Sequence, residues 1–477
     1  MKLKAFTAYI FTLILTSLAL SCSENEEFTT AKSAVLTFST DTVSFDTLFC
    51  SVGSATKQLI VYNPNDKGVM LRNVALQSGG ESGFRMNVDG QFGISLNDIE
   101  VLSKDSIFIF IEVTPKDNEP EALSHQSDEI QFTLESGLRQ KVVLDAYGQK
   151  ARSLHHKIIS EDTVLDAALP YLIYDSLVVA ENATLTLTAG TKLYFHNLTN
   201  MIVRGTLKIE GELGNEVMIR GDRTDRMFPY LPYDHLDKQW GGIYLAPTCK
   251  GCEINYADIH SGNFGIECDS IAGELTIQNS TIHNVAGDAL NIRYTKALVA
   301  NSQLSNAGRY CAFLTHAQAE FYHCTLGQFY PWYSDVCNAL FIVKKPEEKS
   351  VWANAQSNFY NSIITGYGAD EVFADFDSKN DTLRLHFYSS FINTNISDSL
   401  YYSNCYAEDE DNESYGYKNF KSFDTYSYIY DFRLDSLSLA RGIADPKYSE
   451  KYAKDKNGVE RQGAIDAGCY QSSYPSK

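Results

Sequence analysis

Short words of one design return at almost one spacing through the last two-thirds of the chain, and they restrict the fold more tightly than any other feature. Apolar residues that follow a small residue fall at Ile243, Ile266, Leu290, Phe313 and Leu340, in steps of 23, 24, 23 and 27, with a looser match at Val372. Beside them a second register opens on Tyr256, Asn279, Asn301, His323, Asn361 and Ser389, its first steps being 23, 22 and 22. The segments are rich in β-branched and aromatic residues and are broken by small polar turns, which makes them strands, and the period is too short for a pair of helices. Each period is expected to be one coil of a parallel β-solenoid. A single coil cannot hide its apolar face, so coils stack, with equivalent residues about 4.8 Å apart along the axis. Asn279 and Asn301 then belong to a ladder in which each side-chain amide bonds the next turn.

Residues 34–150 read differently. Val43, Phe45 and Thr47 alternate with polar positions, Leu59-Ile60-Val61-Tyr62 runs into the turn Asn63-Pro64-Asn65-Asp66, and strong apolar runs follow at 106–114 and 142–148. Seven or so short strands in such a length predict an immunoglobulin-like sandwich. The Tyr-Asn-Pro-Asn-Asp word and the closing Ala146-Tyr147-Gly148 resemble domains related to major sperm protein, which implies a spacing or docking role. Residues 151–472 resemble right-handed parallel β-helix proteins of the pectate-lyase-like superfamily. The words that carry this are Gly190-Thr191-Lys192-Leu193, Val203-Arg204-Gly205-Thr206-Leu207, Val217-Met218-Ile219-Arg220-Gly221 and Trp240-Gly241-Gly242-Ile243. Asp431-Phe432-Arg433-Leu434 and Gly463-Ala464-Ile465-Asp466-Ala467-Gly468-Cys469-Tyr470 resemble the closing segment of the same proteins. The expected fold class is all-β, a sandwich followed by a right-handed parallel β-helix. The resemblance implies no single function, since this scaffold carries lyases, hydrolases and adhesins.

Residues 1–21 are expected to be a signal peptide. Lys2 and Lys4 precede an apolar run that ends in Ala19-Leu20-Ser21-Cys22. This resembles a bacterial lipoprotein signal, which implies lipidation of Cys22 and a membrane anchor without a spanning helix; the alternative is a plain secretory peptide cut near the same place. Residues 22–33 form an acidic tether, and Ser23-Glu24-Asn25-Glu26-Glu27 resembles the signal that sends some lipoproteins to the exterior of the outer membrane. A net charge of −20 leaves no basic stripe for phosphates and excludes nucleic acid as a partner. An Asp-Ser/Thr-aliphatic word places Thr42, Thr47, Ser106, Thr163, Ser176, Ser270, Thr382, Ser399 and Ser436 in a context similar to an O-glycosylation acceptor of some gut-type bacteria. The same word is also a natural turn exit before a strand.

Ten cysteines less Cys22 leave an odd number, so complete pairing within the chain is excluded. Cys249 and Cys252 form a lone CxxC, read as a local disulfide or two thiols. No second ligand pair exists to make a zinc site with it, and no metal is expected. Cys268, Cys311, Cys324 and Cys337 fit as small hydrophobes.

If Ile266, Leu290, Phe313 and Leu340 point inward, alternation turns Glu267 and the column Asp269, Arg293, His316 outward. These could pose as acid, anion clamp and base, or as a solvated charge ladder. Two aromatic insertions enter the same sheet. Residues 222–240 carry Phe228, Tyr230, Tyr233 and Trp240, and residues 327–337 carry Tyr330, Trp332 and Tyr333. Four coils apart, they would either wall a trough roughly 19 Å long, suited to a glycan whose rings stack on aromatic faces, or fold down as hydrophobic covers over the coil edges. The leading expectation is a surface-anchored module that binds a polysaccharide or surface glycoprotein without catalysis or cofactor. The alternatives are a lyase or hydrolase of acidic polysaccharide, with Ca2+ if a lyase, and a scaffold without a ligand.

Overall fold

A computed structural model of the chain describes residues 26–117, 122–332, 338–344, 355–376, 385–398 and 400–474. Cys22, Tyr333, Cys337, Thr382 and Ser399 lie outside the described residues. The chain divides between Gln149 and Lys150 into two compact units.

The upstream unit is a β-sandwich of two five-stranded sheets. Strand alternation builds it: in Thr42–Phe49, Val43 and Phe45 are buried while Ser44 and Asp46 face water. Leu59, Ile109 and Phe84 of one sheet share a core with Leu71, Phe132 and Leu144 of the other. The Asn63-Pro64-Asn65 turn has a specific cause. Asn63 is buried, and its Nδ2 donates to the carbonyls of Lys67, Val101 and Leu102 at 2.9, 3.0 and 2.9 Å, so the amide replaces main-chain partners that the turn lacks.

Downstream, the chain winds as a parallel β-helix with three strands per coil. A first sheet of ten strands includes Gly251–Asn255 and Glu274–Gln278. A second includes Ala257–His260 and Thr281–Val285, and a third includes Ile266–Asp269 and Leu290–Arg293. The second and third run together as one 18-stranded bonding network. Like residues stack inside it. Phe321, Phe359, Phe387 and Tyr402 of the first sheet form a column with ring centroids 4.4, 5.1 and 5.2 Å apart.

All six residues that open the second register sit in the left-handed region, from Tyr256 at φ 47° to Asn361 at φ 51°. Asparagine tolerates that conformation because its side chain bonds locally. The expected ladder is present: Asn279 Nδ2 donates to Asn255 Oδ1 at 2.8 Å, and Asn301 Nδ2 to Asn279 Oδ1 at 3.2 Å. The serine that follows has its own task. Ser280, Ser302, Ser362 and Ser390 accept main-chain N–H groups from the preceding coil at 3.0 to 3.2 Å.

The third-sheet register departs from expectation at one coil. Leu290 pairs with Ala312, and Ala312 with Leu340, so Phe313 faces outward beside Asn291 and Phe341. Alanine is the inward residue there, and the spacing pattern took its larger neighbour instead. The C-terminal segment also has an unexpected place. It lies along the flank of the coils rather than over the last one: Tyr470 Oη donates to Gln303 Oε1 at 2.8 Å, and Phe432 sits where a side chain at Gly327 would have to be.

Two stability outcomes follow from this packing. Asn301→Ala removes bonds to Asn279 Oδ1 and to the Lys454 carbonyl and forces a left-handed alanine; thermal melts should show a loss of about 1–3 kcal/mol. Glu371 is fully buried, and burial lifts its pKa from 4.5 to about 8 against two main-chain N–H donors, with Glu408 and Asp370 adding to the lift. The folded state therefore holds this proton more tightly than the unfolded one. Stability should be complete below the ordinary carboxylate range and fall, by on the order of a few kcal/mol, as pH rises towards about 8. Glu371→Gln should lose less stability than the parent across that interval, the remaining slope coming from Glu408, whose pKa burial lifts to about 7, and from His260.

Candidate functional site

The outer face of the third sheet carries two columns. One runs Tyr244, Glu267, Asn291, Phe313, Phe341, Phe373, and the next runs Asp269, Arg293, Thr315, Val343. Asp269 and Arg293 are neighbours as expected, but Thr315 takes the place expected for His316. His316 stands one residue further on, in a left-handed turn at φ 46°, buried and stacked on Tyr294 at 5.2 Å. The one-residue register change at Ala312 is the cause.

Around Glu267 a charged group assembles. Asp288, 2% exposed, accepts Asn291 Nδ2 at 2.8 Å and lies 3.6 Å from Arg309. Arg293 Nε donates to Asn291 Oδ1 at 3.1 Å. Burial raises the pKa of both Glu267 and Asp288, against the arginines that favour their charged forms. Aromatic rings continue the same face. Tyr310 stacks on Phe313 at 5.6 Å, Phe313 meets Phe341 at 5.4 Å, and Phe341 stacks on Phe373 at 4.9 Å, with Phe373 47% exposed. Arg309 lies over Tyr310 and Phe313 at 5.5 and 5.8 Å. Sequence reasoning missed this stair because it turned Phe313 inward.

The insertions do not wall an open trough. Tyr330 Oη donates to Asp237, so the two meet, and the hairpin Phe420–Asp424 with Ile429–Leu434 joins them. Tyr230 stacks between Phe228 and Tyr426 at 5.7 and 4.1 Å, and Trp332 rests on Tyr428 at 4.4 Å. Tyr233 lies under the Arg223 guanidinium at 3.8 Å. Trp240 is not a wall residue: it is fully buried on Phe195, and its Nε1 donates to the His260 carbonyl at 2.7 Å. Tyr330 is nearly buried as well.

The second sheet presents a polar face that the sequence reading did not place. Alternation turns Asp258 and His260 outward, and His283 stands beside His260 one coil on, the rings stacked at 4.8 Å. Asp234 reaches over from the first insertion to His260 Nε2 at 2.8 Å and is held in turn by Arg220. Burial opposes charge on both, but mutual attraction wins: the pKa of His260 is raised to about 9 and that of Asp234 lowered to about 2. Burial likewise opposes the charge on Asp258, and the two histidines outweigh it. The signal was legible, since Tyr256-Ala257-Asp258-Ile259-His260 and Asn279-Ser280-Thr281-Ile282-His283 set a histidine at one position of successive coils.

Cys249 and Cys252 are free thiols buried in the solenoid core, not a disulfide, and burial raises the pKa of each. Cys268, Cys311 and Cys324 belong to the same core. Of the hydroxyl acceptors, Thr42, Thr47 and Ser270 are exposed, while Ser106, Thr163, Ser176 and Ser436 are half-buried. The turn chemistry of the word is visible at Asp435, whose carboxylate accepts the N–H of Leu437 at 3.0 Å. No helix among the described residues is long and apolar enough to cross a membrane.

No family profile matches the chain, and no curated protein matches it. Among solved structures it is similar to PapD-like domain 7 of human CEP192, at 14% identity over 24% of this chain and 84% of that one, with a TM-score of 0.17. A periplasmic chaperone, SfaE, matches at 9% identity over 24% of this chain and 58% of that one, also at 0.17. A family 123 glycoside hydrolase from Clostridium perfringens matches at 9% identity over 24% and 26%, again at 0.17. At that TM-score none of them bears on what this chain does.

The thiols give a direct check on the interior. With no reductant present, both Cys249 and Cys252 should resist alkylation in the folded protein and react fully once denatured, as read by mass spectrometry; a disulfide would leave both unreactive throughout.

Proposed function

We propose that this chain is a surface lipoprotein, anchored to the outer membrane through lipid on Cys22, whose parallel β-helix binds a glycan on the outer face of its third sheet. The observation that supports this best is the aromatic stair Tyr310, Phe313, Phe341 and Phe373, continuous with Glu267, Asn291, Asp288, Arg293 and Arg309. Coil stacking spaces Phe313, Phe341 and Phe373 by 5.4 and 4.9 Å, close to the rise of a sugar unit, so successive residues of a chain can lie along them. Apolar C–H groups of the sugars pack along the exposed edges of the rings and on Phe373, while hydroxyl or carboxylate groups reach the arginines and amides. The upstream sandwich, with its likeness to domains related to major sperm protein, serves as a spacer. The long solenoid fits the pectate-lyase-like superfamily that its opening words resemble.

A second reading is favoured by one specific feature. Glu267 and Asp288 are carboxyls with raised pKa beside Arg293 and Arg309, a composition that could also cleave an acidic polysaccharide.

Affinity electrophoresis through gels cast with neutral or acidic polysaccharides tests the binding. Each of Phe313→Ala and Phe373→Ala should weaken retention about three- to tenfold, in line with a loss of about 0.5–1.5 kcal/mol per ring. Tyr230→Ala should leave it unchanged. Release of unsaturated or reducing sugar that disappears in Arg293→Ala would favour cleavage instead, and equal retention of all variants would refute the face.

A further inference from the structure

The histidine group on the second sheet lies outside the glycan face and has its own chemistry. Asp258 and His260 leave Ala257–His260 on one side, and His283 occupies His260's column in the next coil. Asp258 Oδ1 is 3.0 Å from His260 Nδ1 and 3.1 Å from His283 Nε2, and one ligand atom of each residue lies within 4.8 Å of the others. Ligand atoms of a tetrahedral zinc ion stand about 3.3 Å apart when each bond is about 2.0–2.1 Å. Small side-chain shifts would therefore close the three donors on one ion.

The surroundings favour that use. Asp234 accepts from His260 Nε2 at 2.8 Å and Arg220 holds Asp234 in place, so Nε2 keeps its proton and an ion would displace only the proton that Nδ1 shares with Asp258. Two imidazoles and a carboxylate suit zinc and its transition-metal neighbours, whereas calcium takes six or more oxygens. A second observation points to a ligand beside the same histidine. His283 lines a cavity of about 270 Å³ between the second sheet and the C-terminal hairpin, with Gln303, Asn306, Tyr430 and Tyr470 among its walls. Asn306 is 2% exposed, and its Oδ1 has no hydrogen-bond partner; Tyr430 Oη is likewise buried and unpartnered. Such atoms mark places where an ordered water or another bound molecule completes the bonding.

We propose that Asp258, His260 and His283 bind one divalent transition-metal ion of the zinc class, with Asp234 as a positioning residue and the fourth coordination place open to a small polar ligand from the cavity. The site is independent of the aromatic face, and Phe313→Ala should not affect it.

The test uses the whole chain, stripped with a chelator and titrated with Zn2+ and with Co2+. Expected are one ion per chain and the visible d–d bands of four-coordinate Co2+, with no displacement by Ca2+. His283→Gln, a change at a partly exposed position, should abolish those bands, as should Asp258→Asn, while circular dichroism stays that of the parent. Asp234→Asn should keep the stoichiometry and bind about 10–100-fold more weakly. Absence of stoichiometric binding, or a Co2+ spectrum that survives His283→Gln, would overturn the proposal.

Discussion

Main-chain hydrogen bonding between successive coils, held in one register by left-handed turns, is the constraint on which the downstream unit rests. Asn279, Asn301 and Asn361 adopt a conformation costly for most side chains, and their amides link each coil to the last or to the segment laid against it. Ser280, Ser302 and Ser362, which follow them, take up main-chain N–H groups that the turn would otherwise leave unpaired. Once that edge is set, alternation decides every outward column. The aromatic stair and the histidine pair both follow from it, each being an outward column of one sheet.

How much of this could be read from the residues alone differs by feature. The solenoid was legible because burial demands periodicity, and the asparagine ladder because its residue type is tied to a backbone state. The stair was misplaced by a single position. Ala312 and Phe313 are both apolar, and spacing cannot say which of two adjacent apolar residues faces inward; only the pairing with Leu290 and Leu340 does. Trp240 was read as a display residue from its aromatic neighbours, yet it fills the space over Phe195. The meeting of the insertions lay beyond any periodic argument, because Tyr330 and Asp237 approach through irregular segments and the hairpin that joins them lies far downstream, Ser427 being 192 residues beyond His235.

Charge is used sparingly and locally. The acidic balance of the chain does not extend to the second sheet, where Arg220 and His260 hold Asp234 and Asp258 as anions against the cost of burial. That network fastens the first insertion to the sheet as well as ordering the histidines. On the third sheet the sign of the effect reverses, since burial dominates at Glu267 and Asp288 and keeps their protons closer. Two faces of one scaffold thus shift their carboxyls in opposite directions.

The flank segment ties together coils that are not adjacent. Asn301 Nδ2 bonds the Lys454 carbonyl, Asn361 Nδ2 bonds the Asp445 carbonyl, and the Cys469 N–H bonds Thr325 Oγ1. Open repeat arrays can gain or lose units by duplication with little penalty. Here an extra turn between those of Asn301 and Asn361 would pull the tail from one of its moorings, so the tail acts as a gauge that holds the number of turns constant and makes this an array unable to drift in length.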